Sequence, residues 1–166
     1  PVVEQQSSVN ANDVVSMIAA TSRYTYHGAI CNGIEIVLKQ NGAKLSSSDY
    51  LKVSRAILKE GGRFRYNDWL VHLLSLAIPE YQARSMSEKD YLELALAVLE
   101  ESRRIMDHGS IYNAIEIVVK RTKLRKKLSA EAESALKQEI ADHVAKRFND
   151  EYWANAVLAL IAKPLS

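Results

Sequence analysis

The 166-residue chain holds one cysteine, no long apolar run and almost no excess charge of either sign. The lone Cys31 excludes an intramolecular disulfide framework. No apolar stretch approaches the length that crosses a bilayer, so no membrane-spanning segment and no membrane partner are expected. Twenty-two lysines and arginines stand against twenty aspartates and glutamates, a net charge of +2 that names no partner, so any electrostatic argument rests on local clustering. A glycine-rich phosphate loop, a G-x-S-x-G elbow and a calcium loop are all missing. The four histidines, His27, His72, His108 and His143, show no ligand spacing with Cys31 or with each other, so neither a metal nor another cofactor is expected. Residues 1–10 (PVVEQQSSVN) are polar and lack the basic start and apolar centre of a signal peptide. They read as a flexible N-terminal tail, and the cytoplasm as the compartment.

With 48% hydrophobic and 25% charged residues, the composition is that of an ordinary globular protein. The organising feature is an internal repeat. Residues 27–39 read HGAICNGIEIVLK and residues 108–120 read HGSIYNAIEIVVK, nine identities in thirteen at an offset of 81. Further on, Leu45-Ser46 recurs as Leu128-Ser129, Phe64 as Phe148 and Trp69 as Trp153, the offset growing to 84. Insertions therefore fall in connecting segments. The pattern predicts two tandem four-helix units, 11–84 and 87–166, related by internal pseudo-symmetry.

Apolar residues recur at helical steps throughout: Val14, Ile18 and Thr21; Tyr50, Val53 and Ile57; Trp69, Leu73 and Leu76; and their counterparts in the second copy. Start signals accompany them at Asn10 or Asn12, Ser46–Ser48, Ser87 with Asp90, Ser129 and Asn149. Gly61-Gly62, Pro79 and Pro164 act as stops. The alternating Ile34-Glu35-Ile36-Val37 has strand character, but its second copy keeps helical spacing, so helix is expected there too. The fold class is all-α with about eight helices. His27 and His108, each followed by glycine, read as the ends of the preceding helices, where a histidine meets the negative end of the dipole.

Two groups of residues carry the functional expectations. Asn32, Glu35 and Lys39 form a polar stripe that recurs as Asn113, Glu116 and Lys120, a candidate surface for a protein partner in an adaptor or inhibitor. The stretch KRTKLRKK places Lys120, Arg121, Lys123, Arg125, Lys126 and Lys127 in eight positions of the second copy only. Such a basic face fits duplex DNA or RNA, and a non-enzymatic nucleic-acid-associated regulator is the leading expectation. A symmetric homodimer is expected from the prevalence of such dimers.

One enzymatic pattern stands apart. Arg103 and His108 in RRIMDH are separated by four residues, which resembles the arginine, four to six residues, histidine motif of HEPN ribonucleases, helical proteins that cleave RNA without metal. The resemblance covers six residues. It implies that Arg103 would stabilise phosphate charge and His108 would act as acid or base. In the first copy the spacing shortens to three, between Arg23 and His27. Cys31 is replaced by Tyr112 in the repeat and reads as a small buried apolar residue.

Overall fold

The computed structural model describes residues 10–64, 67–125 and 128–165, and all of their regular structure is helical. In chain order the helices are α1 (Ala11–Ala20), α2 (His27–Asn41), α3 (Ser47–Glu60), α4 (Asn67–Ala77), α5 (Glu80–Ser85), α6 (Glu88–Glu101), α7 (His108–Lys123), α8 (Ala130–Arg147) and α9 (Glu151–Ile161). Eight of them have ten residues or more. Ile34–Val37 lies in the middle of α2, and the similar stretch Ile115–Val118 in the middle of α7. Of the expected N-terminal tail, only Asn10 is among the described residues.

Most of the start signals act as caps. Asn10 Oδ1 accepts the Asn12 N–H at 2.9 Å, the Ser46 and Ser87 hydroxyls accept the Asp49 and Asp90 N–H groups at 3.2 Å, and Ser129 accepts from Ala132 at 3.1 Å. Losing such a cap costs about 1 kcal/mol. At α9 the cap is Asp150, one residue beyond the expected Asn149, accepting from Tyr152 N–H at 2.8 Å.

The two histidines correct the sequence reading. His27 and His108 open α2 and α7 rather than closing the helices before them. Those preceding helices stop earlier, in short 3-10 turns at Thr21–Arg23 and Ser102–Arg104. Asp107 caps α7 by accepting from Ser110 N–H at 2.9 Å, which sets the helix start just before His108. Nor do the following glycines adopt a left-handed conformation: no described glycine has a positive φ. Gly28 is instead a place of close approach, since a Cβ there would lie 3.1 Å from the Trp69 ring.

The helices pack in two rows. α1, α3, α6 and α8 lie side by side in that order, and so do α2, α4, α7 and α9. Across the rows α1 pairs with α2, α3 with α4, α6 with α7 and α8 with α9. The core runs between them, through Ile18, Ile34, Ile57, Leu73, Leu94 and Leu99, each at most 1% exposed. Full burial of each such side chain is worth about 1.5 to 3 kcal/mol. Two buried tyrosines bridge the rows: Tyr50 OH of α3 donates to the Leu76 carbonyl of α4 at 3.0 Å, and Tyr91 OH of α6 meets the Thr122 hydroxyl of α7 at 2.6 Å.

The short α5 is not legible in the sequence, because six residues carry too little periodicity. It packs on α3 and α7. Its buried Gln82 holds it there, donating from Nε2 to the Gly42 carbonyl at 3.2 Å.

Candidate functional site

The polar stripe of α2 opens into a groove. Glu35, Leu38 and Lys39 form one wall, His72 and Leu76 of α4 the floor, and Arg121 of α7 the far side, enclosing about 430 Å³. Pro79, Glu80 and Tyr81 close one end. The helical register of α2 puts Leu38 into the packing while Glu35 stays half-buried and Lys39 exposed. α5 carries Glu80 and Tyr81 to the rim. Thus the row packing of α2, α4 and α7 brings together residues more than eighty positions apart.

Charges in the groove are loosely compensated. Glu35 Oε1 stands 3.8 Å from His72 Nε2, a pairing that is ionic only when the imidazole is protonated. Arg121 donates from Nε to the Ile78 carbonyl at 2.8 Å and lies 3.7 Å from the Glu80 carboxylate. Ser75 Oγ donates to the His72 carbonyl at 2.6 Å, which fixes that hydroxyl on its own helix. The surface combines a floor of Leu76 and the His72 ring with two carboxylates, a guanidinium and an ammonium.

On α7 the corresponding polar stripe is closed on itself. Glu116 accepts from Tyr112 OH at 3.1 Å and from Lys120 Nζ at 3.2 Å. Asn32 and Asn113 are both exposed. Of the residues expected to contact a partner, only Glu35 and Lys39 enter the groove, joined by Arg121 from the basic cluster. His72, Glu80 and Tyr81 were not singled out as site residues, because their approach to α2 follows from helix packing and from α5.

The basic cluster divides. Arg125 is half-buried and donates to the Ala83 and Met86 carbonyls, both at 2.8 Å. Its guanidinium also covers the Tyr91 ring. Burial pushes the Tyr91 phenol up to about 12. Arg121 spends donors on Ile78 and Glu80 as described, and Lys120 on Glu116. Lys123 is exposed, while Lys126 and Lys127 lie outside the described residues.

The Arg103/His108 pair also has other occupations. Arg103 is gripped by Glu139 at 2.7 Å, Asp142 at 2.9 Å and Glu100 at 2.9 Å, which raises its pKa further above an already high value. His108 packs its ring 5.3 Å from that of Phe148, as His27 packs 4.8 Å from Phe64. The fourth histidine, His143, is fully buried, with Nε2 2.9 Å from the Leu99 carbonyl. Cys31 is buried as expected, its thiol pushed up to about 12 by burial and then by Glu35, so it stays protonated and weakly nucleophilic. Among the described residues no cluster of three histidine, cysteine or acidic side chains is placed to hold a metal ion, and no helix is long and apolar enough to cross a membrane.

Comparison with models of known families, with curated proteins and with solved structures found no match to this chain.

Proposed function

We propose that the protein is a non-enzymatic binding scaffold, a short α-solenoid of helical hairpins that takes a segment of a partner protein into the groove across α2, α4 and α7. One observation carries this reading: Glu35 and Lys39 of the polar stripe and Arg121 of the basic cluster converge on a single concave surface floored by Leu76 and His72. Stacked helix pairs characteristically present such surfaces to protein ligands.

The repeat reading supports the same view. Besides the match at an offset of 81, residues 49–63 and 90–104 agree at seven of fifteen positions, among them Asp49/Asp90, Tyr50/Tyr91, Glu60/Glu101 and Arg63/Arg104. The unit is then a hairpin of about forty residues, present four times and duplicated as pairs. All four hairpins turn on an arginine followed by one extended residue: Arg23-Tyr24, Arg63-Phe64, Arg104-Ile105 and Arg147-Phe148. Two of these arginines, Arg104 and Arg147, reach back along the stack. Arg147 donates to the Ile105 carbonyl of the preceding hairpin, and Arg104 lies against Gly62 of the one before that.

The ligand that fits the groove is a peptide segment with an apolar anchor for Leu38 and Leu76, a basic side chain toward Glu35 and an acidic one toward Lys39. Selection from a displayed peptide library tests it. Wild-type protein should enrich such a pattern, and the double variant Glu35→Lys with Lys39→Glu should enrich the reverse charge order. No enrichment, or enrichment indifferent to the swap, overturns the proposal.

A further inference from the structure

The stack has two ends, and its α1–α2 end repeats a surface that is covered elsewhere in the same chain. A groove of about 340 Å³ there is lined by Met17, Arg23, Tyr24, Gly33, Ile36 and Val37, among others. Met17, Tyr24 and Ile36 are 44%, 46% and 56% exposed. The residues 81 positions further on are Val98, Arg104, Ile105, Ala114, Ile117 and Val118. In the middle of the stack, where α3 and α4 lie on α6 and α7, Val98, Ile105, Ala114 and Val118 are at most 1% exposed. Arg104 there lies against the turn of the preceding hairpin, a position for which Arg23 has no neighbouring hairpin among the described residues.

The other end supplies the missing piece. What covers the internal surface is the α3–α4 pair, and α8–α9 is its counterpart in the second copy. Leu74 and Ile78 at the internal junction are fully buried. Their counterparts, 84 residues on, are Leu158, which is 42% exposed, and Ala162, also exposed.

Polar residues at the two ends are matched as well. Within the chain Arg55 of α3 pairs with Glu93 of α6 across the junction. The counterpart of Arg55, 83 residues on, is Gln138, and that of Glu93, 81 residues back, is Asn12. These two can hydrogen-bond where the originals form an ion pair. Beside them stand Lys137 and Asp13, of opposite charge, where the internal junction has Ser54 and Leu94.

We propose that the chain self-associates head to tail, the α8–α9 end of one copy seated on the α1–α2 end of the next. The contact repeats between molecules the junction that joins the two halves within one. This rests on reading the halves as copies of one unit, and not on the peptide groove, whose residues lie elsewhere. Such an interface is heterologous, so an open assembly of any length keeps one free end of each kind.

Sedimentation velocity across a wide concentration range tests it, with Ile36→Glu and Leu158→Glu as variants at exposed positions. Wild-type protein should gain mass with concentration beyond a dimer unless the rotation closes a ring. Each variant alone should remain monomeric, and an equimolar mixture of the two should form a dimer, because one intact pair of ends survives. Far-UV circular dichroism and urea midpoints matching wild type establish that both variants fold. If Ile36→Glu alone dissociates the protein while Leu158→Glu has no effect, the ends pair symmetrically and the head-to-tail arrangement is wrong. A wild-type monomer at every concentration means that the α1–α2 face is covered by something other than this chain's second copy, or by nothing, and overturns the proposal outright.

Discussion

The guanidinium carbon of Arg125 stands 4.7 Å above the ring of Tyr91, while its Nη1 donates to the Ala83 carbonyl of α5 and to the Met86 carbonyl at that helix's end. This residue was expected at an exposed helix end as a phosphate ligand. It instead fastens the end of α7 to the middle of the chain. Arg125→Met should cost about 1.5 to 3 kcal/mol, the usual worth of hydrogen bonds to a charged group. Urea unfolding at neutral pH reads it, and a loss under 0.5 kcal/mol would show that solvent serves those carbonyls equally well.

For the exposed part of the cluster the expectation is different. Changing Lys120, Lys123, Lys126 and Lys127 together to glutamine should leave the peptide selection unaltered. In titrations with labelled duplex DNA and RNA, the wild-type protein should show no binding that weakens steeply with salt. A slope equivalent to several phosphate contacts, flattened in the variant, would restore the nucleic-acid reading.

His143 makes stability depend on pH. Its Nε2 donates to the Leu99 carbonyl, Nδ1 has no partner, and burial lowers its pKa from the ordinary 6.5. The unfolded chain therefore takes up a proton before the folded one does. Stability is full above about pH 6.5 and falls as pH drops toward the depressed folded value, with a limiting slope near 1.4 kcal/mol per pH unit. Unfolding free energies measured from about pH 7.5 to about pH 5, on both sides of the ordinary histidine value, should show this acid limb in wild type. In His143→Met the limb should be shallower, and identical limbs would assign the effect to other groups.

Gly28 and Gly109 are each the second residue of their helices, α2 and α7, but should respond differently to alanine. A Cβ at Gly109 would meet the Trp153 ring at 3.5 Å, ordinary contact, whereas at Gly28 it would meet the Trp69 ring at 3.1 Å and Tyr26 at 2.7 Å. Gly109→Ala should stabilise by roughly 0.5 to 1 kcal/mol through helix propensity. In Gly28→Ala the displaced rings offset that gain, and thermal unfolding should show no increase. Equal gains at both sites would mean that Trp69 yields without cost.

Much of the architecture was legible in the sequence for a physical reason: long amphipathic helices announce themselves by period and by caps such as Ser46, Ser87 and Ser129. The turns were less legible. A histidine followed by glycine suits a helix end, and only Asp107, read as a cap, would have shown that α7 begins there. The sequence similarity at an offset of 81 is dense enough to read directly, whereas the fainter similarity of α3 to α6, seven identities in fifteen, is too sparse to stand out without the helix bounds. For the groove, Glu35 and Lys39 could be picked out as a stripe, but His72 and Tyr81 reach it through packing that no local pattern encodes. Arginines posed the hardest case, since a guanidinium that solvates carbonyls in Arg125 and one that faces water look alike in a string of letters.

Because each helix pair packs chiefly on the pairs beside it, most contacts are formed between segments close along the chain. Such a topology carries little loop-closure penalty and predisposes to fast folding. It also grades protection along the molecule. α3, α4, α6 and α7 have neighbours on both sides in their rows, whereas α1, α2, α8 and α9 have one, so amide hydrogens should exchange first at the two extremities and last at the centre. The order in which the protein comes apart is thereby written in the order in which its helices are stacked.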